Sequence, residues 1–209
     1  MSALLKGRFI GFLPFLRWAA VNLAIPILLA WLFTNALHNH LHPSVDKHVA
    51  PNGDSFGPIS IKISLPGTVG GIPEPLIVCG RTGNAELVYI RILANSKARV
   101  GVEFWGLRAD ESDTFDLPSM DAVIDLKCYL PAFFPNEGDD YWRNLPASIQ
   151  QSRRTQYFVV VDNVVRLKGP LKYDIQAHSP IYFGRNPLGG SLVSDRFTGT
   201  ILQTSQSQF

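Results

Sequence analysis

Hydrophobic and polar residues alternate in short runs along the chain beyond residue 55, and Gly, Pro and Asn separate the runs. A period of two is typical of antiparallel strands, because successive side chains of a strand point to opposite faces. About ten strands with no convincing helix among them predict an all-β domain, a two-sheet antiparallel jelly-roll sandwich. The runs that predict strands are Ile59 to Ile63, Leu76 to Cys79, Leu87 to Ile92, Val100 to Phe104, Val123 to Tyr129, Tyr157 to Val161, Val164 to Leu167, Tyr173 to Ala177, Ile181 to Phe183 and Phe197 to Leu202.

The stretch from Pro131 to Arg154 lacks this alternation and is rich in Pro, acidic and aromatic residues. We expect it to form a long loop with one helical turn near Ala147 to Gln151. The domain therefore has one irregular segment inside an otherwise strand-rich fold.

A second pattern occupies the N-terminal part of the chain, where twenty residues from Trp18 to Leu37 carry no formal charge. At about 1.5 Å of rise per residue, such a run can cross a hydrocarbon core of about 30 Å as one helix. Lys6, Arg8 and Arg17 all precede the run, so the positive-inside rule predicts a cytoplasmic N-terminus. The sequence thus predicts a single-pass membrane protein, with membrane lipid as a partner. Its parts are a cytoplasmic tail (1–17), a transmembrane helix (18–37), a linker (38–54) and a periplasmic or extracellular domain (55–209).

Two other interpretations of the apolar run stay open. It could be a cleaved signal peptide, since Thr34 to Ala36 is a tolerable cleavage site, or a buried core helix. The run is longer than a signal core, and the rest of the chain offers no large helical partner, which favours the membrane span. Pro26 and Asn22 lie within the run, where a proline frees a backbone carbonyl and an asparagine is polar at membrane depth. Both indicate a protein partner within the bilayer.

The distribution of charge sets one class of partner aside. The formal net charge is +2, the isoelectric point is about 8.6, and the basic residues are scattered along the chain. Nucleic-acid binding requires a clustered basic patch, so we expect no nucleic-acid partner. Seventeen Gly and fifteen Pro indicate many short elements joined by turns.

Six segments carry a further signal: Glu74 to Gly83, Val88 to Arg91, Val100 to Gly106, Phe158 to Val165, Ile181 to Gly190 and Phe197 to Ile201. In order and spacing they resemble concanavalin A-like, laminin-G-like jelly rolls. The resemblance covers about residues 55–204 and concerns fold more than function. In the closing motif, we expect Gly184, Gly189 and Gly190 to allow a tight turn, and Phe197 and Ile201 to plug the sandwich.

This superfamily includes lectins, adhesion modules and glycoside hydrolases, so the resemblance leaves the activity open. Its retaining glucanases carry acidic residues alternating on one strand, so that two carboxylates face one cleft at about 5–5.5 Å. The nearest match here is Glu111, Asp113 and Asp116, which lacks the final Glu of the E-x-D-x-x-E pattern. We interpret these carboxylates as a solvated acidic loop. With no Gly-x-Ser-x-Gly motif and no recognisable partner for His178, we expect no catalytic residue and no enzyme.

Two groups of residues could hold a metal. The acidic residues Glu137, Asp139 and Asp140 could contribute to a calcium site or accept hydrogen bonds from sugar hydroxyls, and laminin-G-like domains often bind calcium. None of these residues matches the family's ligands position by position. Three histidines between residues 38 and 42 could line one side of an extended segment, but no Cys or carboxylate follows at ligand spacing. We expect no metal and no cofactor, with calcium as the alternative.

The two cysteines, Cys79 and Cys128, both fall on predicted strands. In an oxidising compartment they could pair and close a loop of about fifty residues, which would contribute about 3–4 kcal/mol. Because both lie amid apolar residues, a pair of buried free thiols is the other interpretation.

If the domain binds a glycan, exposed aromatic rings should stack on sugars while nearby amides and carboxylates bind the hydroxyls. Trp105 and Arg108 form one candidate group, although Trp105 fits the core better. The irregular segment is the better source of such aromatic and polar side chains, and its Trp142 is either exposed or anchors its loop on the sandwich. The predicted carbohydrate-binding residues are Asp139, Asp140, Tyr141, Trp142, Arg143 and Asn144.

We therefore predict a membrane-anchored, non-catalytic β-sandwich for carbohydrate or cell-envelope recognition. The alternative is a structural or accessory subunit of a larger membrane complex, with the helix packed in the bilayer and the sandwich docked on extramembrane partners. The expected partners are accordingly a glycan or other subunits of a membrane complex. The resemblance favours the first hypothesis, and Asn22 and Pro26 favour the second.

Overall fold

The computed structural model describes residues 56–171 and 179–207. Eleven strands in that part form two antiparallel sheets, whose inner faces share one hydrophobic core. The elements are β1 (Ile59–Ser64), β2 (Glu74–Arg81), β3 (Asn84–Leu93), β4 (Lys97–Phe104), β5 (Arg108–Glu111), β6 (Phe115–Asp116), β7 (Val123–Tyr129), helix α1 (Ala147–Thr155), β8 (Gln156–Val161), β9 (Val164–Pro170), β10 (Ile181–Phe183) and β11 (Thr200–Gln206).

Sheet A has five strands in the order β11-β1-β7-β8-β9. Sheet B has six, in the order β10-β2-β3-β4-β5, with β6 beside β4. Every pair of neighbouring strands is antiparallel. The all-β prediction and the two antiparallel sheets of a sandwich are therefore confirmed for the described residues.

The two sheets differ in how completely their strands are buried. β1 and β8 alternate buried and partly exposed residues, so sheet A has one face in the core and one towards water. β2, β3 and β4 are buried along most of their length. The second face of sheet B is covered because residues 184–198 fold over it and pack Val193 against Val78, Leu87 and Tyr89.

The closing segment seals one side of the sandwich, as its sequence motif predicts. Phe197 is buried in the main core, and Ile201 packs against that core. A Cβ at Gly199 would lie 2.3 Å from the Ser64 carbonyl oxygen and 2.4 Å from the Phe197 ring, so this position requires glycine. Gly184 has a φ of +65°, and a Cβ there would meet Ile201 at 2.9 Å.

Most predicted strands are present, and the differences follow from short or irregular pairing. The bounds Val123–Tyr129 and Ile181–Phe183 agree with the prediction, whereas the last strand begins at Thr200 rather than Phe197. The short strands β5 and β6 were not predicted. The irregular segment contains helix α1 at the predicted helical turn, together with two 3₁₀ turns, Pro131–Phe133 and Asp140–Asn144.

A buried carboxyl lies inside the core. Glu86 lies directly opposite Phe104 of β4, on the inner face of sheet B, and is completely buried. Neither of its carboxylate oxygens has a hydrogen-bond partner among the described residues. Desolvation raises the pKa of Glu86 to about 8, an effect that the nearby Ala132 amide only partly offsets.

The structure contains no bond between Cys79 and Cys128, for which the sequence left a disulfide and a pair of free thiols open. Cys79 on β2 and Cys128 on β7 are both buried free thiols in the core, on different sheets. Burial raises the pKa of Cys128 to about 12 and also raises that of Cys79. The interpretation as buried thiols is the one that the structure supports.

The cytoplasmic tail, the transmembrane helix at 18–37, the linker and the strand expected at Tyr173 to Ala177 lie outside the described residues. Within the described residues, the structure contains no helix long and apolar enough to cross a membrane.

Candidate functional site

The loop predicted to bind carbohydrate is anchored by the residue expected to contact the sugar. Trp142 is only 4% exposed and lies in the main core. Its Nε1–H donates to the carbonyl oxygens of Pro135 (3.2 Å) and Asn136 (3.0 Å), and its ring packs against those of Phe134 and Tyr141. Of the two interpretations left open by the sequence, the structure supports anchoring: the indole holds the loop on the sandwich, and its ring is unavailable for stacking on a sugar.

The other residues predicted in this loop lie together and bond mainly to one another. The Asp139 carboxylate accepts a hydrogen bond from the Tyr141 amide (2.8 Å) and so caps a 3₁₀ turn. Asp140 forms an exposed ion pair with Arg143 at 2.9 Å. Asn144 is also exposed. Carbohydrate binding by these exposed residues stays a prediction.

The acidic run between residues 110 and 116 lies partly on a strand. Glu111 ends β5, pairs with Gly101 of β4 and is 23% exposed at its side chain. Ser112 is buried and donates its hydroxyl hydrogen to the Asp113 carbonyl. The interpretation as a solvated acidic loop is therefore wrong for Glu111, because strand pairing places its side chain on the outer face of sheet B.

Glu111 holds two arginines together on that outer face. Arg91 of β3 and Arg99 of β4 lie directly opposite each other in the register of the two strands. Arg91 donates to Glu111 Oε1 from Nε (3.0 Å) and from Nη2 (2.7 Å), and Arg99 Nη1 donates to Oε2 (3.4 Å). The Tyr89 hydroxyl also donates to Oε1, at 3.2 Å. We call Tyr89, Arg91, Arg99 and Glu111 the arginine site.

The arginine site carries a surplus of positive charge. Two guanidinium groups share one carboxylate, and like charges directly opposite on neighbouring strands repel. Desolvation raises the pKa of Glu111, but the hydrogen bonds and charge of Arg91, with bonds from Tyr89 and Arg99, outweigh it and leave the pKa lowered. Glu111 therefore stays ionised at neutral pH, and a net charge of about +1 remains at the site.

Two segments border the arginine site. On one side, the loop at residues 66–73 approaches Arg91, whose Nη1 donates to the Gly71 carbonyl at 2.8 Å. On the other side, the covering segment 184–198 is fixed by Leu192, whose amide donates to a Glu103 carboxylate oxygen at 3.1 Å. Trp105 lies under this segment and donates from Nε1 to the Gly189 carbonyl at 2.8 Å. The arginine site is the polar part of the outer face between these borders.

The adjacent carboxylates of β5 point to opposite faces of sheet B. Asp110 faces sheet A, where it accepts hydrogen bonds from the Tyr157 hydroxyl and, at 2.6 Å, from Arg108. Glu111 faces outward. A retaining glycosidase needs both carboxylates in one cleft and a general acid of raised pKa. The opposed faces and the lowered pKa of Glu111 do not provide that arrangement, so β5 supplies no acid and nucleophile pair.

Within residues 56–171 and 179–207, no group of three or more His, Cys, Asp or Glu side chains is arranged to hold a metal ion. Calcium binding by the acidic residues of the irregular segment stays a prediction.

The arginine site was not identified from the sequence, although a signal was present. Arg91 interrupts the apolar run of β3, and Arg99 interrupts that of β4. A charged residue inside a strand whose neighbours are buried usually has a partner. The partner, Glu111, lies on β5, which the sequence analysis did not predict as a strand.

No family model and no curated protein sequence matches this chain. Among solved structures, it is similar to CBM40 of the Ruminococcus gnavus IT-sialidase bound to α2,6-sialyllactose, with 12% identity, a TM-score of 0.43 and coverage of 73% of this chain and 75% of that chain. A second structure of the Ruminococcus gnavus IT-sialidase CBM40 has 10% identity, a TM-score of 0.45 and coverage of 78% and 84%. Both likenesses are distant.

Proposed function

We propose that the sandwich is a non-catalytic carbohydrate-recognition domain that binds a carboxylate-bearing sugar at the arginine site. The observation that supports this most directly is the opposition of Arg91 and Arg99 across one shared carboxylate. Their side chains are 31% and 44% exposed, so both guanidinium groups are accessible to a ligand.

The unused hydrogen-bond donors match an acidic sugar. Among the described residues, hydrogen bonds use three of the five N–H groups of Arg91 and two of the five of Arg99. Guanidinium donors bind carboxylates with good directional fit and can also donate to sugar hydroxyls. The Glu111 carboxylate and the Thr114 hydroxyl are the neighbouring acceptors for hydroxyl hydrogens. The site therefore offers donors for an anion beside acceptors for a polyol.

Rigid support makes the two arginines specific rather than merely attractive to anions. Glu111 and the Gly71 carbonyl orient Arg91, while Thr114 accepts from Arg99 Nε at 2.8 Å. Because these bonds form before the ligand arrives, less side-chain entropy is lost on binding.

We also propose the wider setting predicted from the sequence. Residues 18–37 are proposed to anchor the chain in a membrane, and residues 38–54 to link that anchor to the sandwich outside the cytoplasm. The laminin-G-like resemblance belongs to the same proposal, as does membership of the concanavalin A-like superfamily.

The test compares acidic and neutral oligosaccharides binding to the full chain purified in detergent. Arg99→Ala should weaken binding of uronic acid or sialic acid oligosaccharides by about tenfold to a hundredfold, the usual effect of losing hydrogen bonds to a charged group. Arg99→Lys keeps the charge but loses the planar fork and should fall between. Lys97→Ala is the matched control, because Lys97 lies two residues away on the same strand and pairs with Asp116 instead.

Two results would contradict the proposal. Equal binding of acidic and neutral sugars, or an unchanged affinity in Arg99→Ala, would remove the arginine site from the function. Absence of glycan binding by a chain that co-purifies stoichiometrically with other membrane proteins would favour the accessory-subunit hypothesis.

A further inference from the structure

The outer face of sheet A carries a block of apolar and basic side chains. Across three neighbouring strands, Tyr129 pairs with Phe158, which pairs with Lys168. In the adjoining row, Lys127 pairs with Val160, which pairs with Val165. We call these six residues the sheet A patch. Side chains two apart on β7 and on β8 share a face, and the pairing extends that face to Lys168 and Val165 of β9 across a register shift. Both rows therefore lie on the outer face of sheet A, where Tyr129 also packs against the edge of the main core.

The centre of the patch is apolar and in contact with water. Val165 is 57% exposed, and Tyr129, Phe158 and Val160 are partly exposed. The Tyr129 and Phe158 rings pack edge to face with centroids 6.1 Å apart. Apolar side chains in adjacent positions on an open sheet face are costly in water unless another surface covers them.

Cations surround this apolar centre. Lys127 Nζ lies 5.5 Å from the Tyr129 ring centroid, and Lys168 Nζ lies 5.3 Å from that of Phe158. Arg153 of helix α1 lies 6.0 Å from the Tyr129 ring. The long side chains can thus lie along the aromatic rings while their charges reach outward.

The charge around the patch is positive overall. Lys62, on β1, adds a fourth cation and pairs with Asp125 at 3.7 Å. Two carboxylates of the described residues, Asp125 and Asp162, lie beside these cations, and the Asp125 amide donates to the Asp162 carboxylate at 3.0 Å. Four cations against two carboxylates leave a surplus of about two positive charges, which complements an anionic surface.

We propose that the sheet A patch docks the domain on a membrane surface that carries anionic lipid headgroups. Tyr and Phe side chains favour the boundary between headgroups and acyl chains, while lysine side chains reach the phosphates. Each lysine near an anionic surface strengthens binding by about fivefold. A glycan fits this face less well, because the patch offers few acceptors for sugar hydroxyls beyond the Tyr129 oxygen.

The place where the chain enters the domain supports this choice of partner. β1 begins at Ile59, which pairs with Cys128, the neighbour of Tyr129. The first described strand therefore begins at the end of sheet A where the two rings lie. The anchor predicted at residues 18–37, joined through the linker at 38–54, would supply a bilayer within reach. The proposal is independent of sugar binding at the arginine site, which lies on the other sheet.

The test measures how fast individual lysines of the full chain are acylated by a membrane-impermeant amine reagent, read by peptide mass spectrometry. The protein is reconstituted in vesicles of neutral phosphatidylcholine or in vesicles with about one-third anionic phosphatidylglycerol. Lys127 and Lys168 should react at least threefold to fivefold more slowly in the anionic vesicles, and high salt should restore their rates. Lys97 on sheet B is the internal control, and its rate should not change.

Variants assign the protection to the patch. In a chain with Phe158→Ser, Lys127 and Lys168 should lose most of their protection in anionic vesicles, since the apolar contact is gone. In a chain with Lys127→Gln and Lys168→Gln, Lys62 should be acylated at the same rate in anionic and neutral vesicles. Binding of an acidic oligosaccharide should stay unchanged in both chains, which also shows that they are folded.

Several outcomes would overturn the proposal. Acylation of Lys127 and Lys168 as fast as that of Lys97 in both vesicle types would exclude headgroup docking. Acylation of these two lysines that is slower than that of Lys97 to the same extent in both vesicle types would indicate a protein or self-association interface. Stronger protection by a soluble polyanion such as heparin or DNA, in detergent without lipid, would identify a different class of partner. Loss of sugar binding with intact lysine protection would instead contradict the proposed function alone.

Discussion

The two outer faces of the sandwich differ in how far their apolar side chains are covered. On sheet B, residues 184–198 cover the apolar part with Val193, and the remaining polar part holds Arg91 and Arg99 on Glu111. On sheet A, the apolar part, including Phe158 and Val165, stays open to water beside cations. A covered face with mutually oriented charges suits a small ligand with defined geometry. An open face with independent lysines suits a broad surface of unspecific shape.

This difference is visible in the burial of individual strands. β3 is buried along most of its length on both faces, and its outer face carries the partly exposed Arg91, which is paired with Glu111. β8 alternates buried and partly exposed residues, so Phe158 and Val160 were free to face water without disturbing the core. The comparison can be tested by changing one face at a time.

The largest expected effect comes from removing the closing contact that supports the covered face. Phe197→Ala should destabilise the domain by about 3–5 kcal/mol, because a large buried side chain is replaced by a cavity. Phe158→Ala, on the open face of sheet A, should cost less than about 1 kcal/mol. Chemical denaturation of both variants gives the two free energies of unfolding. Equal losses would show that sheet A is as covered as sheet B.

The second prediction concerns the pH dependence that Glu86 imposes on sheet B. Its pKa is raised to about 8 in the folded state, so the unfolded chain ionises first as pH rises. Glu86 is protonated in both the folded and the unfolded chain below about pH 4.5, so it does not lower the stability there. Between about pH 4.5 and pH 8, the free energy of unfolding falls by up to about 1.4 kcal/mol per pH unit. Glu86→Gln should remove this slope and raise the stability at pH 7 by roughly 3 kcal/mol. An unchanged slope in the denaturation midpoints would mean that Glu86 has a partner when ionised.

How much of this comparison was predictable depends on how far apart in sequence the contacting residues lie. The alternation within single strands predicted β7 and β10 with their bounds, because the period of two is a local property. The arginine site depends on the register between β3 and β4, which follows from the turn at Asn95 and Ser96, both with positive φ. It also depends on β5, whose four residues include three charged side chains and therefore lack a strand pattern.

The irregular segment shows a second limit of local patterns. Trp142 lies among polar residues, which made exposure and anchoring equally compatible with the sequence. Its burial depends on Phe134 and on the carbonyl oxygens of residues 135 and 136, which meet the indole only after the loop folds. The sequence therefore showed that Trp142 could stack or donate a hydrogen bond, but only the tertiary structure identified its partners.

A smaller effect tests whether the aromatic support under the arginine site matters for binding. A Cβ at Gly101 would lie 2.1 Å from Cζ of Tyr89, so Gly101→Ala should cost about 1–3 kcal/mol and also displace Tyr89 from Glu111. Gly169→Ala is the matched control, since a Cβ there would lie 2.3 Å from the Tyr157 hydroxyl oxygen, away from the site. Both variants should lose stability, and Gly101→Ala should also lose affinity for an acidic sugar. The same affinity in both would remove Tyr89 from the site.

The smallest expected effect separates the two glutamates of sheet B by the direction of their pH dependence. Glu111 has a lowered pKa in the folded state, so its stabilising contribution is present above about pH 4.5 and is lost as pH falls through the folded value. Because the side chain is 23% exposed, the ion pairs should contribute no more than about 1 kcal/mol at pH 7. Glu111→Gln should therefore be less stable than the wild type at pH 7 and nearly equal to it at about pH 3, whereas Glu86→Gln should gain most at high pH. Urea denaturation across this range measures both. Parallel pH profiles for the two variants would show that the inner and outer faces of sheet B do not differ electrostatically, and would remove the physical basis for an anion site on the outer one.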